Sequence, residues 1–354
     1  MAYSTIIKPS DYFNTKTYTQ SGSNNNGNTQ TLTMDNVGWV WIKNRDYTNG
    51  HCLFDIVRGG DKLLASNGTA VQETIGGGLT FGSSDTTIGA DTGGYGFNNR
   101  VGDDYVAWHW RTSGSQGSSN TDGTINTTYT SANTTSGFSI STVTLSGSGN
   151  QTFGHGLGVT PSLVIFKCTS HAESWKVYNS SLSSPESKYL QLDLSDAAGN
   201  ASNIWGAGMT SSTVGVNVGV LGTAGQDYVA YVFAPIKGFS KFGVYDGNGS
   251  ADGSFIYTGF KPGWIMLKQS SHAGNDWWMF DSKRLGYNPD NYLLRANISN
   301  AELTNDDIDL VSGGFKIRST DGGINTSGNQ YFYMAFAESP LVANVDGGLP
   351  TTAR

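Results

Sequence analysis

The feature that most limits what this chain can fold into is a phrase written three times. Asp104-Tyr-Val-Ala-Trp-His-Trp110, Asp227-Tyr-Val-Ala-Tyr-Val-Phe233 and Gln330-Tyr-Phe-Tyr-Met-Ala-Phe336 align residue for residue. Each has an upstream partner: Trp39-Val-Trp-Ile-Lys43, Leu163-Val-Ile-Phe-Lys167 and Trp264-Ile-Met-Leu-Lys268. From the closing lysine to the tyrosine of the later phrase the separations are 62, 61 and 63 residues. Self-similarity at a fixed period marks tandem copies of one structural unit, here of roughly a hundred residues. The spacing divides the chain into an arm (1–13), a first unit (14–114), a Ser/Thr/Gly/Asn-rich linker (115–136), a second unit (137–237), a third (238–340) and a tail (341–354). The tight join at Ala234-Pro-Ile-Lys-Gly238 predicts that units two and three pack together, with one and two more loosely tethered.

Within each unit the apolar residues fall in short alternating runs bounded by Gly, Asn and Ser, the signature of strands and turns rather than helices. Only Lys283 to Tyr292 has room for a helical turn. Apolar content is 37%, low for a large core, yet aromatics reach 12%, far too many for a disordered chain. A thin two-layer core filled by large side chains reconciles the two numbers. The expected fold is all-β: three tandem β-sandwiches of jelly-roll, lectin-like type. Tyr331 to Phe336 has no polar face, so its strand should be buried on both sides.

A net charge of −7 with no basic block argues against nucleic acid and against an anionic membrane surface. No apolar run is long enough to span a bilayer, and the N-terminus has no signal-peptide pattern, which places synthesis in a cytoplasm. Cys52 and Cys168 stand at non-equivalent places and read as reduced, buried thiols.

Candidate binding residues are the tryptophans. Trp39 and Trp41 share one strand face, either as core or as a platform for the apolar face of a sugar ring. Adjacent strand residues face opposite ways, so with Trp278 inside, Trp277 should point outward; Trp175 and His51 hold the matching place in the other units. These are candidate glycan or partner contacts, packing between units being the plainer alternative. Asp55 with Arg58, and Asp281 with Arg284, keep one offset and read as structural ion pairs, where the second unit has Asn179 and Leu182. Asp246 to Asp252 spaces oxygens somewhat like a calcium loop but lacks the distal bidentate Glu, and reads as a turn. The five histidines lack metal-ligand spacing, and no nucleophile elbow or phosphate loop is present. The reading is therefore non-enzymatic, with no cofactor; cleavage of a polysaccharide, with a carboxylate such as Asp281, is the disfavoured third possibility.

Several phrases carry a family resemblance: the N-terminal run from Met1 to Tyr18, Phe239-Ser-Lys-Phe-Gly243, Gly314-Phe-Lys-Ile-Arg-Ser319 and Tyr333-Met-Ala-Phe-Ala-Glu-Ser-Pro-Leu-Val342. They resemble a poorly characterised family carried by tailed phages of marine bacteria, including phages of cyanobacteria. It is encoded among virion structural genes, often as a tail-fibre-like or concanavalin-A-like lectin protein. The resemblance implies a virion surface location and other virion proteins as partners. The expected function is a tail-fibre or receptor-binding component attaching to host cell-surface glycan, in a homo-oligomer such as a trimer. The alternative is a capsid decoration protein docked on the shell.

Overall fold

In the computed structural model, which describes residues 4–23 and 26–341, each phrase becomes a strand hydrogen-bonded to the strand of its upstream partner. The molecule is all-β with β-sandwich character; among the described residues the one α-helix is the single turn Gly322–Asn325, and no helix is long and apolar enough to cross a membrane.

Three large antiparallel sheets follow one another along the chain. Each contains five strands in the order opening, closing, second, third, fourth. In the first sheet these are Phe13–Thr19, Asp104–Arg111, Val37–Asn44, Cys52–Asp55 and Gly59–Leu64. In the second they are Phe138–Thr144, Asp227–Phe233, Leu163–Cys168, Lys176–Asn179 and Lys188–Gln191. In the third they are Ser240–Asp246, Gln330–Pro340, Phe260–Gln269, Trp278–Asp281 and Asp290–Arg295. The registers match as well: Trp110 pairs with Trp39, Phe233 with Leu163 and Phe336 with Trp264.

The closing strands are buried on both faces because two different layers cover them. Outward, Val40, Ile42, Phe54 and Ala107 of the first sheet pack with Leu32, Leu79 and Ile88 from a small three-stranded sheet. In the second sheet Val164, Phe166 and Ala230 meet Phe153, Val214 and Val216 of a two-stranded one. Inward, the remaining faces of all three large sheets meet in one shared aromatic core. Trp39 stacks on Tyr231 with ring centroids 4.5 Å apart, Trp110 meets Trp264 at 5.7 Å, and Phe233 meets Phe336 at 5.9 Å. Those three contacts join each sheet to both others, and they account for a sequence that alternates apolar with apolar.

The second residue of each closing strand is a tyrosine that fixes its entry. The Tyr105 hydroxyl accepts from the Arg100 backbone N–H (3.0 Å), Tyr228 from Thr223 (2.7 Å) and Tyr331 from Thr326 (2.8 Å). A hydroxyl that reaches back to backbone a few residues upstream is the tyrosine corner of β-sandwiches.

Three expectations change. The first and second sheets are not loosely tethered, since Trp39 also packs on Phe138 and Phe233. The segment expected as a linker holds the strand Tyr129–Asn133, which extends the second sheet by pairing with Phe138–Thr144. Lys283 to Tyr292 forms turns and then the start of a strand, not a helical turn. The arm is tied down from Ile6, 1% exposed, onward, and Tyr12 packs against Phe239 of the third sheet. Of the tail, only Leu341 lies within the described residues.

Candidate functional site

All five residues singled out as candidate contacts lie in the interior. Trp39, Trp41, Trp175 and Trp277 are 0% exposed and His51 is 1% exposed. No sugar can stack on them, because the face that a lone sandwich would leave open is covered by the neighbouring sheet. Trp277 was expected to point into solvent opposite Trp278; instead it meets Phe332 edge-on at 5.6 Å in the shared core.

The structure gives His51, Trp175 and Trp277 one common role. Trp175 Nε1 donates to the Ala65 carbonyl (3.0 Å), joining the second sheet to the first. Trp277 Nε1 donates to the Gln191 carbonyl (2.8 Å), joining the third to the second. His51 Nδ1 accepts from Trp41 Nε1 (2.8 Å), so Nε2 carries the proton and donates it to the Arg295 carbonyl (2.9 Å), joining the first to the third. Gln191 and Arg295 end the fourth strands of their sheets, and Ala65 directly follows that of the first. Seven residues beyond each, a backbone N–H returns a bond across the same seam: Gln72 to the Thr169 carbonyl, Ala198 to Ser270 and Glu302 to Arg45. Every sheet thus grips one neighbour and is gripped by the other.

The charged groups drawn inside serve the same seams. Lys43, Lys167 and Lys268 are wholly buried and donate to backbone carbonyls, among them Thr69 for Lys167 (3.0 Å) and Ser195 for Lys268 (3.2 Å), both across a seam. Burial lowers all three, Lys43 and Lys268 to about 8. Burial, with Lys43 nearby, also pushes His51 down to about 3. Asp55 binds Arg58 at 2.5 Å and accepts from Tyr231 of the second sheet (2.8 Å). Asp281 binds Arg284 at 2.6 Å and accepts from Trp108 Nε1 of the first (2.9 Å). In the third seam the equivalents are Asn179, Leu182 and Met334, and no ion pair is built.

Open surface with recognition chemistry lies elsewhere, over the seam between the first and second sheets. A groove of about 390 Å³ runs between Gln72 and Arg58 on one side and Thr142, Thr144, Thr169 and Asp227 on the other. The segment expected as a linker supplies its third wall, with Gln116, Thr128 and Tyr129. That wall is held in place. Gln116 Nε2 donates to the Val57 carbonyl (2.8 Å), the Ser113 and Ser131 hydroxyls lie 2.7 Å apart, and the Thr128 N–H donates to the Thr142 carbonyl (2.7 Å). Gly117, at φ +81°, crosses the added strand so closely that any Cβ would collide with the Thr130 carbonyl. No single stretch of sequence announces this site, since its residues are scattered from Val57 to Tyr228.

Among the described residues no group of three or more His, Cys, Asp and Glu side chains converges as metal ligands. Cys52 and Cys168 are free and buried.

One family profile matches the chain, over residues 8–340, and its description is "Domain of unknown function (DUF7483)". No curated protein and no solved structure matches it.

Proposed function

We propose that this chain, which belongs to the DUF7483 family, is a non-enzymatic surface protein of a tailed-phage virion. In this reading it is a tail-fibre or receptor-binding component that attaches to host cell-surface glycan. Its three large sheets are read as the inner layers of three tandem jelly-roll, lectin-like repeats. The observation that carries the proposal is how the chemistry is distributed. Buried ionisable groups such as Asp55, Asp281, Lys167 and Lys268 are bound into contacts between sheets, and hydroxyl and amide side chains gather at an open groove. Such a body presents a surface for binding and holds its charged interior groups for cohesion. The second reading is a capsid decoration protein, which needs only to dock on a shell.

Two measurements separate the readings. Virions lacking the protein should adsorb to host cells more slowly; a normal rate would remove the attachment role. Immunogold labelling should place a few copies at the tail, whereas scores of copies over the head would make this a decoration protein.

A further inference from the structure

We propose that the groove between the first and second sheets is a single saccharide site, built where this seam departs from the other two, and that it takes a neutral, hydroxyl-rich ligand. The inference rests on the glycan-binding reading above and names its site, its ligand class and its number per chain.

The argument compares equivalent positions. Where this seam has Gln72 facing Thr169, the seam between first and third sheets has Glu302 facing Arg45. Those two form a bidentate pair, with Arg45 Nη2 to Glu302 Oε1 at 2.7 Å, and Arg284 Nη1 adds a further bond to Glu302 at 2.8 Å. That seam is closed by its own charges. The seam between second and third sheets has Ala198 and Ser270 at the same positions, too short to offer more than one side-chain hydroxyl. Only the first seam pairs two neutral polar side chains, and only there does an inserted segment, 115–136, add a wall. The large sheets share one strand order, and at this seam the inserted segment breaks it.

The wall supplies an aromatic at the rim of this groove. Tyr129 is 37% exposed, in contrast to the buried tryptophans, and sits opposite Thr142 in the ladder so that both line the groove. An aromatic face beside amides, hydroxyls and one carboxylate is the donor–acceptor set that a sugar ring engages, apolar C–H face on the ring and hydroxyls at its rim. Gln72 Oε1 accepts from Arg58 and Gln116 Nε2 donates to Val57, so the Gln72 amide nitrogen and the Gln116 carbonyl oxygen are the atoms these lining residues have to offer a ligand. Thr144 holds the Asp227 carboxylate from the side at 2.6 Å.

Charge fixes the ligand class. The one cation in the lining, Arg58, spends its guanidinium on Asp55, Gln72, the Leu53 carbonyl and Tyr231. The exposed charge that remains is Asp227, so an anionic sugar or a phosphate meets repulsion with no compensating cation. A volume of about 390 Å³ falls within the range of small-ligand sites, about 300–1,000 Å³.

The test applies the full-length protein to an array of neutral hexose and N-acetylhexosamine oligosaccharides alongside uronate- and sialate-bearing ones. The best binder is then titrated against wild type, Tyr129→Ala, Asp227→Asn and Tyr287→Ala. Tyr287 is an exposed tyrosine in the loop between the third sheet's third and fourth strands and serves as a control. Neutral saccharides should bind, and Tyr129→Ala should weaken binding by about tenfold or more with an unchanged melting midpoint, while Tyr287→Ala binds as wild type. If wild type binds glycan but Tyr129→Ala and Asp227→Asn bind equally well, the site is wrong and the attachment role survives. A preference for acidic saccharides, or more than one bound ligand per chain, also overturns it. If wild type binds no saccharide, this site and the glycan-binding reading fall together.

Discussion

Replacing Asp55 with asparagine removes the anion from a buried network and leaves every other member in place. Asp55 is 0% exposed and the Arg58 side chain 3%. The carboxylate accepts from the Val57 and Arg58 N–H groups, from Arg58 Nε and from the Tyr231 hydroxyl. Asparagine can still accept the two backbone bonds with its carbonyl oxygen, as Asn179 does for the Ser181 N–H at the equivalent turn. Its amide would then present N–H groups to the arginine, stranding a charge in the interior. Breaking one partner of a buried pair in this way costs about 3–5 kcal/mol. The third seam shows how the same junction is built without charge, from Asn179, Leu182 and Met334. Transplanting that solution as Asp55→Asn/Arg58→Leu/Tyr231→Met should restore stability to within about 1 kcal/mol of wild type, because a well-packed apolar replacement matches or exceeds an ion pair of similar volume. Urea unfolding, followed in parallel by tryptophan fluorescence and circular dichroism, reads both values. The reasoning fails if Asp55→Asn costs under about 1 kcal/mol, or if the triple variant is no more stable than the single one.

Tyr228→Phe keeps the ring stacked 4.7 Å from Phe166 but orphans the Thr223 N–H, so denaturant melts should show a loss of about 1–2 kcal/mol; Tyr228→Ala should cost about 3–5 kcal/mol. His51, held at about 3 against an ordinary value of 6.5, stays neutral in the folded protein while the unfolded chain takes up a proton below 6.5. Its stabilisation is therefore complete above pH 6.5 and is lost as pH falls towards about 3, at up to about 1.4 kcal/mol per pH unit. Subtracting the pH profile of His51→Gln from that of wild type should isolate this slope; identical profiles between pH 6.5 and 4 would mean that the ring is not held neutral.

Much of the fold could be read in the sequence because the units are copies: the three phrases with their upstream partners fixed the central strand pairs, and the tyrosine and lysine at their ends recur in equivalent contacts. The equivalence of His51, Trp175 and Trp277 was legible too, but not their direction. A strand period of two says which residues share a face, not which face meets solvent, and here both faces are covered. The added strand was missed because Tyr129-Thr-Ser-Ala-Asn133 has no apolar alternation. Its neighbours are the hydroxyls of Ser113 and Ser141, so it is held by polar contacts that look like linker composition. The groove escaped for a related reason: Gln72, Gln116 and Thr169 are unremarkable singly and become a site only when two sheets and an insertion converge.

The direction of the seam contacts has a consequence of its own. Each sheet offers a gripping side to one neighbour and a gripped side to the other, which makes the contact heterologous, and a heterologous contact either closes into a ring or propagates without limit. Here it closes after three. Tyr12, ahead of the first sheet's opening strand, packs on Phe239 of the third, and Ser10 lines a small cleft with Glu338 from the end of the third sheet's closing strand. A fourth unit would find both sides of the contact occupied. Within the chain the three sheets are thereby held as tethered units at fixed stoichiometry, unable to dilute apart. Because the three positions are encoded separately, two junctions can carry a buried ion pair, one of them a groove besides, while the third does without either, a division of labour that three identical chains could not hold.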